Sequence, residues 1–264
     1  MNRLSTLRVG RTIALLAALL LAAGHGAAAE LKLMLTGSMA APLREIAETF
    51  ARKNGHTVDV TVGITTTVSA TLEAGEKPDL IEVTSFGMDQ LEKEKLIRAG
   101  SRVEIARALI GIAVGDGAVV PDISTPEALM RALRQARSVA YVNPRFAGQV
   151  GVNLMAFLQR LGLADEVMKK AALTFTGEEA VQKVAKGEAD MAIAFVSEIL
   201  PVRGVKWPGP LPATLQVPTN YSAAIGAGSA QPELARMLLE AIGSADGRRL
   251  IRDSGLEPVS VGPR

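Results

Sequence analysis

The sequence predicts an α/β fold with helices packed on a largely parallel sheet. Two observations carry this. Short apolar runs recur along the chain, each followed by a Gly/Ser/Thr turn and then by a segment with apolar residues at helical spacing. Aromatic residues make up only 3% of the chain, so its cores must be aliphatic.

The elements follow in order. Residues 31–35 form a short apolar run, read as a buried strand, and Thr36-Gly37-Ser38 is the turn after it. Residues 39–53 are helical: Leu43, Ile46, Ala47 and Phe50 mark one apolar face, and Gly55 ends it. Residues 57–62 alternate polar and apolar, as a half-buried strand does. A turn at 63–67 leads to a short helix at 68–74, closed by Gly75. A strand at 80–83 is followed by a charged helix at 87–98. The rhythm continues with strands at 109–114, 138–142 and 190–195, and with helices at 126–135, 148–161 and 177–186. Pro208, Pro210, Pro212 and Pro218 break it, and residues 203–218 are read as irregular surface chain. A strand at 221–225 and helices at 232–242 and 245–253 complete the fold, with residues from Gly255 onward expected to be a tail.

Residues 1–29 are expected to be a signal peptide. Arg3, Arg8 and Arg11 precede an apolar run at 12–23, and Ala27-Ala28-Ala29 offers small residues for cleavage before Glu30. The run is short for a membrane span. The expected location is the periplasm. With no cysteine, the chain has neither a lipid-modified cysteine nor a disulfide. The signal segment holds three of the 29 basic residues and no acidic one, which leaves a net charge of −1 on the rest. That removes the main reason to expect nucleic acid or anionic lipid as a partner. His56 is the only histidine beyond the signal segment and reads as a solvated turn residue. A histidine-rich or thiolate metal site is excluded, and no metal or cofactor is expected. Neither a phosphate-binding G-x-x-x-x-G-K-[ST] run nor a G-x-G-x-x-G after the first strand is present.

Several turns place small hydroxyl residues just before a helix: Ser38, Thr65 to Thr67, and Thr176-Gly177. In an open α/β sheet such turns gather at the carboxyl edges of the strands, where ligands bind. Helix N-termini there offer unpaired N–H groups to an anion without any Lys or Arg. Ser and Thr are also ordinary helix caps, and spacing alone does not separate the two roles. Arg145 follows a strand and precedes a helix; it is either a carboxylate clamp or a solvated loop residue. Glu82 and Glu198 fall near strand ends, where a carboxylate serves as a base or simply as a structural or surface group.

These residues carry a resemblance. Leu35-Thr36-Gly37-Ser38-Met39, Thr65-Thr66-Thr67 leading to Leu72-Glu73-Ala74-Gly75, Pro78-Asp79-Leu80 and Gly187-Glu188-Ala189-Asp190 occur in the order found in the periplasmic molybdate-binding proteins of ABC transporters. The chain resembles that family over about residues 31–258. The resemblance implies a two-lobed type II periplasmic binding protein fold. Each lobe would be a mixed, mostly parallel sheet flanked by helices, with the ligand cleft between lobes. One lobe would be residues 30–108 plus 222–264, the other 109–221. Ser38 matches the family's first ligand serine, and Thr65 or Thr66 stands where a second donates. Gly177 matches a backbone N–H donor, and Val150 or Gly151 another. Phe195 stands where the family has a tyrosine, so a donor is missing there. With Arg145, this favours a larger or more strongly anionic ligand, such as a polycarboxylate.

The stretch Phe195-Val196-Ser197-Glu198-Ile199-Leu200-Pro201-Val202 resembles the periplasmic aconitate isomerases, which share the fold. Ser197 joins the candidate binding set on that basis, and Glu198 or Glu82 would move the proton. The resemblances therefore imply a monomeric binding protein that delivers an oxyanion or carboxylate to an ABC permease. The alternative is an isomerase, and a third reading is a sensor that presents its ligand to a membrane receptor.

Overall fold

The chain builds one sheet, leaves it to build a second, and returns to finish the first. The computed structural model describes residues 28–259, so nearly all of the expected signal segment lies outside the described residues. The first stretch runs β1 (Glu30–Thr36), α1 (Gly37–Asn54), β2 (Thr57–Gly63), α2 (Thr65–Glu73), β3 (Leu80–Thr84), α3 (Ser85–Lys93) and β4 (Val103–Ala108). The second runs β5 (Ile110–Gly115), α4 (Pro126–Gln135), β6 (Val139–Val142), α5 (Gly148–Arg160), α6 (Ala164–Met168), β7 (Ala171–Thr174), α7 (Gly177–Ala185), β8 (Met191–Phe195), α8 (Val196–Ile199) and β9 (Val205–Lys206). The return is β10 (Thr219–Ile225), α9 (Pro232–Gly243), α10 (Ala245–Asp253) and β11 (Leu256–Pro258).

The first sheet has the order β11-β4-β10-β3-β1-β2 and the second β7-β6-β8-β5-β9. Parallel pairing joins β1 to β2 and β3, and β6 to β7 and β8. The strands that carry the chain between sheets pair antiparallel: β10 with β3 and β4, and β5 with β8 and β9. The sheets are therefore mixed. Only Leu109 separates β4 from β5, so one nearly continuous extended segment crosses between them.

Alternation along β1 explains its burial. Leu31, Leu33 and Leu35 face the same core as Met39, Leu43 and Ile46 of α1, while Met34 turns to the other face with Met88 and Leu91 of α3. The crossing is held by polar contacts as well. The Gln216 side chain accepts from Ile110 N at 3.1 Å and donates to Ile110 O at 3.0 Å, and Asn153 of α5 donates to Thr219 Oγ1 of β10 at 2.7 Å.

Several sequence expectations change. The helix expected at 87–98 is α3, which starts at Ser85 and stops at Lys93; Leu96 N closes onto Leu91 O past Lys95, whose φ is +60°. The helix expected at 68–74 begins at Thr65, so the threonines form its first turn. The sequence reading lacks β4, α6, β7, the short helix α8 and β9. β4 carries charges at Glu104 and Arg107, α6 is too short to show a period, and Ala-Ala-Leu-Thr of β7 has little strand bias. The proline-rich segment is irregular apart from β9 and a 3₁₀ turn at Ala213–Leu215. The expected tail is in fact β11, antiparallel to β4, with Leu256 buried in the core. Leu256→Ala is therefore expected to destabilise the fold by about 2–5 kcal/mol, as core truncations do. Denaturant unfolding would read this, and a neutral effect would return these residues to a tail.

Candidate functional site

A pocket lies between the two sheets, where β1, β2, β6 and β8 end and α1, α2, α5 and α7 begin. It is lined by Ser38, Thr65, Val150, Gly177, Phe195 and Glu198 among the expected residues, and by Thr36, Thr176 and Tyr221 among others. Most of the remaining wall is aliphatic, including Ile64, Ile110, Val142 and Leu154. Among the described residues, no Lys, Arg or His lines it.

Local sequence explains why amides face this pocket. Thr84, Thr125 and Ser244 cap α3, α4 and α10 by accepting from Gly87, Ala128 and Gly247 N–H. At the pocket, α1, α2 and α5 start after Thr36, Ile64 and Ala147, and none of these side chains caps its helix. Ile64 and Ala147 have no acceptor, and the Thr36 hydroxyl is engaged elsewhere, by Glu82. The first-turn N–H groups of three helices thus have no side-chain partner at their N-caps, where the helix dipole favours an anion. At α7 Thr176 caps Glu179 N–H, while Gly177 N–H turns to Glu198.

Six polar side chains stand among the apolar ones: Thr36, Ser38, Thr65, Thr176, Glu198 and Tyr221. The Ser38 hydroxyl donates to Tyr221 Oη at 2.8 Å, which leaves the phenol proton for another acceptor. Tyr221 is fixed by the edge of Phe195, with ring centroids 6.4 Å apart and planes at 84°. Tyr221 thus brings a hydroxyl to the pocket beside the donor-less Phe195. Glu198 accepts from Phe195 N–H at 3.1 Å and from Gly177 N–H. Burial pushes its carboxyl up to about 7, the two amides draw it down, and nearby Glu178 adds to the rise. Glu82 sits one layer behind the wall, fully buried; it accepts from Thr36 N–H at 2.7 Å and contacts Thr36 Oγ1 at 3.0 Å through both oxygens. Burial raises it to about 8 against the pull of these bonds. Tyr221 is held well above its ordinary value by burial, with Glu82 and Glu198 adding to that.

The other expected residues lie outside the lining. Thr66 is exposed on α2. Gly151 is packed so closely on Pro144 that a side chain would strike its backbone. Arg145 is exposed, with its N–H on the Asn143 side chain. Ser197 is buried, and its Oγ has no hydrogen-bond partner. Thr36 and Tyr221 are the residues the sequence reading missed. Thr36 stands in the turn that drew attention to Ser38. Tyr221 is one of only two tyrosines, and a buried phenol needs a polar partner.

A family model described as bacterial extracellular solute-binding protein matches residues 31–257. This chain belongs to that family. The solute-binding protein is also 32% identical, over 271 aligned positions covering 99% of both chains, to an aconitate isomerase from a Pseudomonas species. Its fold is that of the periplasmic molybdate-binding protein of Azotobacter vinelandii (TM-score 0.72, 21% identity, 89% of this chain and all of that one). It also matches the substrate-binding domain of a molybdenum ABC transporter protein from Clostridium difficile (TM-score 0.69, 18% identity, 88% of this chain and all of that one). The two sheets of the solute-binding protein are accordingly the two lobes of the type II fold.

Two outcomes are expected of this arrangement. A side chain on Gly177 would collide with the Glu198 carboxyl. Gly177→Ala should cost about 1–3 kcal/mol through overpacking, and adding Glu198→Ala should recover most of it; a purely additive double-mutant cycle would show that the two do not touch. Because Glu82 titrates higher in the folded than in the unfolded chain, its neutral form stabilises the fold below about pH 4.5, and that contribution is lost as pH rises through about 8. Glu82→Gln should therefore match the native protein near pH 5 and exceed it near pH 9, by on the order of 3–5 kcal/mol. Melting curves with the same offset at both pH values would contradict the buried carboxyl.

Proposed function

We propose that this solute-binding protein closes its lobes on a small unsaturated polycarboxylate and isomerises it by proton transfer, as an aconitate isomerase does. The observation that carries this reading is Glu198: a carboxyl that titrates near 7 in the pocket wall, beside amides suited to an anion. A receptor for a bare oxyanion gains nothing from a carboxylate in its wall, which repels the ligand. A carboxyl poised near neutrality is suited to take and return a proton. The aliphatic wall favours a ligand with a hydrocarbon body and charged ends. The full-length likeness to an aconitate isomerase agrees.

On this reading the uncapped starts of α1, α2 and α5 hold the carboxylates, with Ser38, Thr65 and the Tyr221 hydroxyl as neutral donors. Glu198 removes a proton from the methylene carbon between a carboxylate and the double bond. The double bond shifts by one carbon, and the same proton, now on Glu198, goes to the former vinylic carbon. Atoms and charge balance without a cofactor. The basic, apolar start of the sequence supports export to the periplasm.

The second reading is transport: capture of an oxyanion or carboxylate and delivery to an ABC permease. It is favoured by the fold and by the family. Interconversion of cis- and trans-aconitate by the purified protein separates the two. Glu198→Gln should lower kcat by about 10²–10⁴-fold while binding persists, and native kcat should rise with pH through about 7 as Glu198 ionises. Thermal stabilisation by an anion with no turnover would instead establish the binding protein.

A further inference from the structure

Thr36 is the N-cap of α1 and lines the pocket, yet its hydroxyl does not cap the helix. It lies 3.0 Å from both oxygens of Glu82, which is fully buried behind it. A hydroxyl has one proton to donate. While Glu82 is ionised, that proton is held by the carboxylate and Thr36 presents only a lone pair to the pocket. Once Glu82 is protonated, the carboxyl donates to Thr36 Oγ1 over the same distance, and the threonine proton is free to turn outward. The Thr36 N–H bond to Glu82 Oε2 at 2.7 Å survives in both states and keeps the pair in register.

We propose that Thr36 is a ligand-contacting donor whose direction is set by Glu82, so that an anion enters this pocket together with one proton. The proton comes from solvent and is bound by a Glu82 oxygen. Glu82 then donates to Thr36 Oγ1, and Thr36 donates to an oxygen of the anion. Glu82 is a positioning residue and does not touch the ligand. The ionisable groups around it reinforce the coupling. Tyr221, from β10, is subject to the charge of both Glu82 and, on the other lobe, Glu198. Burial alone raises Glu82, the Thr36 bonds lower it, and among the described residues no cation lines the pocket. An arriving anion is therefore one more negative charge in a space where none is neutralised by Lys or Arg, and uptake of a proton by Glu82 relieves it. The uncoupled carboxyl, near 8, already holds a proton at neutral pH and takes one up on binding in the mildly alkaline range.

This inference rests on the anion-binding reading of the pocket and is independent of turnover. The test is calorimetric binding of trans-aconitate at pH 7, 8 and 9 in pairs of buffers with different ionisation heats, which counts protons taken up per ligand. Native protein should take up close to one proton at pH 9, with affinity falling toward tenfold per pH unit above about 8. Glu82→Gln should abolish that uptake and flatten the affinity between pH 8 and 9. Thr36→Val should weaken binding about tenfold at pH 7, and Thr36→Ser should restore it. Glu198 titrates lower, so Glu198→Gln should remove turnover and alter uptake near pH 7 while leaving the pH 9 uptake in place. Binding without proton uptake at pH 9, or uptake unchanged in Glu82→Gln, would overturn the inference whether or not the protein turns over aconitate. Proton-coupled binding without turnover would uphold it and sink only the isomerase. If trans-aconitate does not bind, molybdate and sulfate serve as probes, both fully ionised in this range. Failure of all three to bind would overturn this inference and the ligand reading together.

Discussion

Helices α1, α2 and α5 begin around one pocket with first-turn N–H groups that no N-cap side chain satisfies. This arrangement constrains the rest of the site. Amides at a helix start need acceptors, and the Glu82, Tyr221 and Glu198 oxygens nearby are already engaged by Thr36, Ser38 and Phe195. An anion, or water standing in for one, completes the shell. That no Lys or Arg lines the wall among the described residues then follows a physical logic: oriented amides and hydroxyls stabilise negative charge without adding a long, flexible cation whose ordering costs entropy.

That same electrostatic setting governs the two buried carboxyls. Each sits where amides favour its ionised form and burial opposes it, and burial dominates in both. They divide by position. Glu198 reaches the pocket from the short helix after β8, held by the N–H groups of Phe195 and Gly177. Glu82 stays one layer back and acts only through Thr36. Tyr221 is coupled to both electrostatically and accepts from Ser38. A site with tunable protons but no fixed cation is unusual for simple capture of an oxyanion and natural for chemistry on a carbon acid.

The two-lobed fold supplies the geometry for this. β4 and β5 form one extended segment from sheet to sheet, and β10 brings the chain back, so the pocket is walled by elements from both lobes. Tyr221 lies on the returning strand and meets Ser38 of the first lobe and Phe195 of the second. On the proposed reading, a hinge motion at these strands would change the spacing of donors on opposite walls without breaking either sheet.

The sequence by itself determined the α/β alternation, most helices, and the turns from which Ser38, Thr65, Gly177 and Glu198 project, because apolar periodicity and Gly/Ser/Thr punctuation are local signals. It also determined the absence of cysteine and of all but two histidines, and with it the exclusion of thiolate and histidine-rich sites. It did not reveal β11 or β4, whose strand character comes from pairing across 150 residues of chain rather than from their own composition. Only the tertiary structure decided that Arg145 and Thr66 lie outside the wall, that Gly151 serves close packing on Pro144, and that Tyr221 stands in the wall beside Phe195. Those are facts of convergence. Whether a hydroxyl caps its own helix, as at Thr84, or is drawn away to a carboxyl, as at Thr36, depends on what a distant strand places beside it, and no local pattern encodes that.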